Sequence, residues 1–239
     1  MQAMIFAAGL GSRLRPLTND CPKALVEVGG HPLLYWVIHR LKQKGYSDLV
    51  INIHHFGELI LRYLSDNQYF GCRIAISDER DQVLETGGGL KKAAALFNKD
   101  EPILIHNVDI LSDIDLSEMR QQHLQSGALA TLAVKQRTTS RYLRFNDSLT
   151  LSGWKNIKTG EVRMSRKETA SLHDLAFSGI HMVDPRLLEM FILKGKFSII
   201  DTYLRLAKTE TIQGFRHDDS KWLDVGKPEN LALAETFVS

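Results

Sequence analysis

The sequence predicts an α/β fold: a mixed, mostly parallel sheet with helices on both faces and a small β-rich lobe. Three observations predict it. Short apolar runs recur and end in glycine, asparagine or aspartate. Segments with helical spacing separate them, as strand–helix–strand units require. From about residue 128 this alternation loosens into a polar, turn-rich stretch.

Taken in order, residues 2–7 read as a buried strand running into Gly9-Leu-Gly11. Pro32 to Lys44 reads as a helix with proline in its first turn and Leu33, Leu34, Val37, Ile38 and Leu41 at helical spacing. Leu49–Ile53 is a second strand, Gly57–Leu64 a helix and Cys72–Ser77 a third strand. A charged loop over 78–85 leads to Thr86-Gly-Gly-Gly89, then a helix from about Leu90 to Phe97. Pro102–His106 is a fourth strand, ending at Asn107-Val-Asp109. Ala130–Val134 is again a strand. The polar stretch 138–175 holds β-like pieces around Tyr142–Phe145 and Leu149–Leu151, with turns at Trp154 and Thr159-Gly160. Ala176–Met182 reads as a strand, Pro185–Phe191 and Ile199–Lys208 as helices, and Trp222–Gly226 as a short strand and turn. A last helix starts at Pro228 and runs to about Phe237. The simplest organisation is one domain over 1–239, with halves at about 1–127 and 128–239.

Composition narrows the function. Lys and Arg total 30 against 28 Asp and Glu, a formal charge of +2. That argues against bulk nucleic-acid binding and against attraction to membrane surfaces. No apolar run reaches the roughly 18–20 residues that span a bilayer. The N-terminal apolar run lacks a basic leader and a cleavage site, so it reads as a strand rather than a signal peptide. Cys21 and Cys72 form no CxxC pair, which speaks against a disulfide scaffold or a zinc site and fits a reducing cytoplasm.

The cations are instead concentrated at one strand end. Gly9 and Gly11 let backbone N–H groups approach an anion, and Arg13, Arg15 and Lys23 add full charge beside them. This is the chemistry of a polyphosphate cradle. Two other glycine-rich readings fail. A dinucleotide fingerprint would need glycine at Leu14, an uninterrupted helix where Pro16 stands, and an acid in place of Asn52. No G-x-x-x-x-G-K-[ST] occurs either. The remaining bland reading is a tight turn with solvated arginines. Thr86-Gly-Gly-Gly89 precedes a helix, where free N–H groups and bare backbone suit an anion or a flat base; a plain loop is its alternative. Asp109 and Asp224 both follow or end apolar strands and could share a Mg²⁺, although either alone also suits a cap or turn. Asp113, Asp115 and Asp201 read as caps or solvated charges. His54, His55 and His106 lack ligand spacing and read as structural.

Together, Ala7-Ala-Gly-Leu-Gly-Ser-Arg-Leu-Arg-Pro-Leu-Thr18 and Pro22-Lys23 resemble the signature of the sugar-1-phosphate nucleotidylyltransferases. The resemblance continues through Glu85–Gly89, Asn107-Val-Asp109, Phe177-Ser-Gly-Ile180 and Trp222–Glu229, in the family's order. It implies a Rossmann-like nucleotidyltransferase fold with a nucleotide half and a sugar-binding half. It also implies two substrates, a nucleoside triphosphate and a sugar 1-phosphate, with Mg²⁺ as cofactor. By the same resemblance, Ala8, Gly9, Gly11 and Ser12 would meet the nucleotide through the backbone, and Gly87 and Gly88 would line the base. Arg13 and Lys23 would hold the triphosphate and the departing pyrophosphate. Asp109 and Asp224 would bind the metal, and Asn107, Ser178 and Gly179 would lie near the sugar or ribose. A monomer or small homo-oligomer is expected, without the β-helix acyltransferase domain of longer relatives.

Three positions depart from the family pattern. Val108 stands where glycine is usual, Lys227 replaces a threonine, and the usual Glu-Lys-Pro lysine is missing, with Lys155 as a substitute. A non-catalytic regulatory subunit is the reading from another class. Such subunits usually lose one of the four charged residues, and this chain keeps Arg13, Lys23, Asp109 and Asp224.

Overall fold

β1 (Gln2–Phe6) is buried along its whole length and forms the axis of the molecule. Ala3 and Ile5 enter the core on one face of the sheet, Met4 and Phe6 on the other. That is the two-residue period of a strand covered on both sides. The computed structural model describes residues 1–167 and 171–238, so 168–170, within the polar 138–175 stretch, lie outside it.

β2 (Glu27–Val28) and β3 (His31–Pro32) form a small antiparallel pair ahead of α1 (Leu33–Gln43). β4 (Asp48–Ile53), α2 (Gly57–Asp66), β5 (Arg73–Asp78), α3 (Glu85–Ala93) and β6 (Ile103–Asn107) follow. β1 pairs in parallel with β4 and β6, and β5 extends the sheet beyond β4. Next come β7 (Ile110–Ser112), α4 (Leu116–Ser126), β8 (Ala130–Lys135), β9 (Arg141–Phe145), β10 (Leu151–Asn156) and β11 (Val162–Met164). β12 (His173–Val183) runs antiparallel between β6 and β8. After α5 (Ile199–Leu206), β13 (Ile212–Arg216) pairs in parallel with β8. β14 (Trp222–Asp224) and α6 (Leu231–Val238) complete the chain.

The start of β12 leaves β6 and pairs with β9, which with β10 and β11 makes the antiparallel lobe. α1, α2 and α4 cover one face through Leu34, Val37, Ile60, Leu64 and Met119. α3 and α5 cover the other through Leu90, Ala93, Ile199 and Tyr203. No helix among the described residues is long and apolar enough to cross a membrane.

Several expectations need correction. α3 begins at Glu85, so the glycines lie inside the helix rather than ahead of it. Trp154 sits within β10, not in a turn, and 185–190 forms a 3-10 helix. α4 and β13 are additional to the elements expected from the sequence. α4 buries only Leu116, Met119 and His123, too few for a clear apolar stripe. Its signal is in the ends: Asp115 accepts from Ser117 N and Glu118 N, and Gly127 closes the helix at a φ of 59°.

Candidate active site

The carboxyl ends of β1, β4 and β6 open into one cavity of about 240 Å³. A parallel sheet is expected to bind ligands at this edge. Of the sequence-predicted residues, Ala8, Gly9, Lys23, Asn107 and Asp109 line it, with Val108 beside them. A Cβ at Gly9 would meet nothing within 4 Å, so no protein neighbour requires glycine there and the bare backbone faces open space. Gly11 is different. At a φ of 62° it caps the 3-10 turn Ser12–Leu14, and its carbonyl accepts from Thr18 Oγ1 at 2.9 Å. Gly11 and Ser12 shape the loop and lie outside the cavity lining.

The floor is a buried polar network that nothing in the sequence pattern announces. Asn52 Oδ1 accepts from Ala7 N at 2.7 Å and Ala8 N at 3.3 Å, while its Nδ2 donates to Glu79 Oε1 at 2.7 Å. The Ala8 N–H is therefore shared with Asn52 rather than free. Glu79 also accepts from Leu84 N at 3.2 Å, and burial pushes its carboxyl above the ordinary value. Its only signal in the sequence is a position in a charged loop.

Lys23 and Asp109 form an ion pair with both side chains largely covered, at 11% and 14% exposure. Asp224 arrives from the far end of the chain on the β7–β14 ladder. It stands opposite Ile110, and Val225 N donates to Asp109 O at 2.8 Å. The two aspartates are thus placed side by side by three residue pairs of antiparallel sheet. Gly226 shows how tightly the charges converge. A Cβ there would lie 2.6 Å from Lys23 Nζ, 2.7 Å from Asp224 Oδ1 and 2.8 Å from Arg13 Nη2. Both metal-assigned aspartates and both catalytically assigned cations therefore meet in one cluster, although Arg13 and Asp224 are not part of the cavity lining.

Other assignments are relocated. Gly87 and Gly88 do not line the cavity; Glu85 and Thr86 do. The two glycines face the 195–197 segment instead, and both N–H groups donate to Phe197 O, at 2.9 and 3.3 Å. A Cβ at Gly88 would lie 2.3 Å from Gly195 O, so glycine here serves close backbone packing. Ser178 is fully buried, its hydroxyl held by His217 Nε2 at 2.7 Å, and it is not part of the cavity lining. Gly179, at a φ of 75° in the bulge of β12, backs directly onto Asn107, where a Cβ would meet Nδ2 at 2.8 Å. Lys155 lies on β10, ion-paired to Asp174 in the antiparallel lobe. Lys227 is exposed.

Residues 2–146 match the Nucleotidyl transferase family. The chain belongs to that family. Its relatives include an N-acetylmuramate alpha-1-phosphate uridylyltransferase of Caulobacter vibrioides, 33% identical over 98% of this chain and 95% of that protein. A second, from Neisseria meningitidis, is 33% identical over 99% of this chain and 98% of the relative. The crystal structure of HddC from Yersinia pseudotuberculosis shares the nucleotidyltransferase fold at a TM-score of 0.81. It is 19% identical and covers 100% of this chain and 99% of that one. The glycine loop and the cation cluster lie at the carboxyl edge of the parallel strands, the edge at which open α/β sheets generally bind ligands.

Proposed function

We propose that this nucleotidyl transferase moves uridylyl from UTP to N-acetylmuramate 1-phosphate, releasing pyrophosphate. The observation that carries the chemistry is the convergence of Arg13, Lys23 and Asp224 on the space above Gly226, with Asp109 paired to Lys23. The choice of substrates is supported by the two uridylyltransferases that match almost end to end.

The reaction needs no general base. An oxygen of the sugar 1-phosphate, already an anion, attacks the α-phosphorus, and the bond to the β-phosphate oxygen breaks. Catalysis is then positioning and charge stabilisation. Gly9 leaves room for phosphates along the backbone, and Arg13 and Lys23 offset the charge on the leaving pyrophosphate. Asn52 and Glu79 fix the loop that carries Ala7 and Ala8. Asn107, braced by Gly179, faces the substrates from β6.

The aspartates suit a hard divalent cation. One oxygen of each is engaged, Asp109 Oδ2 by Lys23 and Asp224 Oδ1 by Gly226 N, and the second oxygen of each takes no hydrogen bond among the described residues. Asp109 and Asp224 would hold Mg²⁺, which when bound offsets charge on the α-phosphate.

Pyrophosphate release tests the reading, with UTP, dTTP, GTP and CTP against a panel of sugar 1-phosphates. Release with UTP and N-acetylmuramate 1-phosphate is expected, and a preference for another pair replaces the substrates. Lys23→Ala should lower kcat by roughly 10²–10³-fold with an unchanged circular dichroism spectrum. Activity near wild type would remove Lys23 from the mechanism.

A further inference from the structure

The antiparallel lobe walls a second, wider cavity of about 580 Å³, lined by Arg137, Tyr142, Lys155 and Asp174. Its charges are unequally matched. Asp174 is held by Lys155 and by Arg144, whose Nε stands 3.2 Å from Oδ1. Arg137 has no carboxylate within ion-pair distance among the described residues. One terminal nitrogen donates to Phe177 O at 2.8 Å, and its Nε is buried with no partner. The guanidinium carbon stands 4.1 Å from the centre of the Trp222 ring. That ring is itself anchored, its indole N–H donating to Ser178 O at 2.9 Å.

Holding a permanent cation half-buried without a counter-ion costs free energy, which a bound anion recovers. Burial lowers the Arg137 pKa, with the charge of Asp224 acting in the opposite direction. The position also matters. Trp222 and Asp224 are two residues apart on β14, so they share one face of the strand. Arg137, stacked on Trp222, therefore approaches the strand that carries Asp224 from the side of the antiparallel lobe, whereas Arg13 and Lys23 reach Gly226 from the glycine loop.

We propose that Arg137 is the specificity-determining residue for the acceptor, and that it binds a carboxylate carried by the sugar. Hydroxyl groups of a neutral sugar need no fixed cation. A carboxylate fits the planar fork of a guanidinium, and Trp222 fixes the plane of that fork. The inference rests on the acceptor proposed above, since N-acetylmuramate carries a carboxylate that N-acetylglucosamine lacks.

The test compares kcat/KM for the 1-phosphates of these two sugars in wild type and in Arg137→Met, with UTP affinity measured by calorimetry. The substitution should lower the muramate-to-glucosamine ratio by roughly 10–100-fold, mainly through KM, as loss of a charged hydrogen bond implies. Arg137→Lys, which keeps the charge and loses the fork, should fall between, and it carries the same comparison if the methionine variant does not fold. Equal losses on both acceptors would put Arg137 on the shared phosphate and overturn the proposal, as would an unchanged ratio. Wild-type preference for a different carboxylated sugar 1-phosphate over its neutral counterpart would replace the acceptor and leave Arg137 in its role. Preference for a neutral sugar would overturn both.

Discussion

The two halves of the sheet contribute to the site in different ways. In the N-terminal half, the parallel strands β1, β4 and β6 all end at the same edge; the loops after β1 and β6, with Asn52 from within β4, line one cavity. Ala8, Gly9, Asn52, Asn107 and Asp109 arrive there with no further device. The C-terminal half is laid against it by the antiparallel β12 and delivers Asp224 through the short β7–β14 ladder. It also builds a separate cavity with its own cations. Parallel topology thus supplies a ligand-binding edge almost automatically. The antiparallel half must reach that edge by specific long-range pairing, and on the proposed reading it is where a sugar is told from its neighbours.

Gly226 is the sharpest point at which to break this division, because it joins a C-terminal turn to N-terminal cations. Gly226→Ala should lower kcat by roughly 10²-fold, the order expected when reacting groups are displaced by about 1 Å. The added methyl would meet the ends of Lys23, Asp224 and Arg13, and Gly226 does not sit in the left-handed region, so the backbone itself tolerates alanine. The melting temperature should stay within a few degrees. Steady-state turnover near wild type would show that the two halves are less tightly joined at this point.

Gly88 tests the seam on the opposite face, between α3 and the segment before α5. Its missing Cβ makes room for Gly195 O, a backbone atom that cannot swing aside. Gly88→Ala should destabilise the chain by about 1–3 kcal/mol, as overpacking does. For a chain of this size that is a fall of about 2–4 °C in Tm per kcal/mol. UTP affinity of the folded fraction should be nearly unchanged. A large loss of affinity with normal Tm would return Gly88 to the nucleotide site.

The same glycines show how much of the site is legible in the sequence. The Gly9–Lys23 loop can be read because its glycines, arginines and proline act locally, within one strand-to-turn segment. Gly87 and Gly88 suggest a ligand because glycines ahead of a helix suit one. The helix instead starts earlier, and Phe197 takes their N–H groups, a partner invisible from local sequence. Ser178 fails for the same reason, since His217 claims its hydroxyl from a distant strand end. Asp109 and Asp224 are suggestive as strand ends, but only the β7–β14 register makes them neighbours. Asn52, Glu79 and Arg137 are single polar residues without spacing, and their meaning lies wholly in burial and partners.

The last prediction concerns pH, and it sets buried histidines against a buried carboxyl by sign. His106 and His181 are buried where β6 meets the antiparallel β12, His123 on α4 is bonded to Thr131 of β8, and His217 is buried just after β13. Burial lowers them from an ordinary 6.5 to about 4, about 4, about 3 and about 4. The fold favours their neutral forms, so their stabilisation is complete above about pH 6.5 and is lost as pH falls towards 4. Each group lowered by one pH unit contributes about 1.4 kcal/mol in this way. Glu79, in the lining of the cavity at the ends of β1, β4 and β6, works oppositely. Its carboxyl is raised by burial, so protonation on acidification favours the fold. Four histidines outweigh one carboxyl, so the urea midpoint should fall between pH 6.5 and 4.5. His106→Gln, whose ring is fully buried with Nε2 unpartnered, should flatten that fall. Glu79→Gln should steepen it by removing a carboxyl that opposes it. A midpoint independent of pH across this window would mean that the buried histidines take up no proton on unfolding, and the seam would then contribute nothing to acid sensitivity.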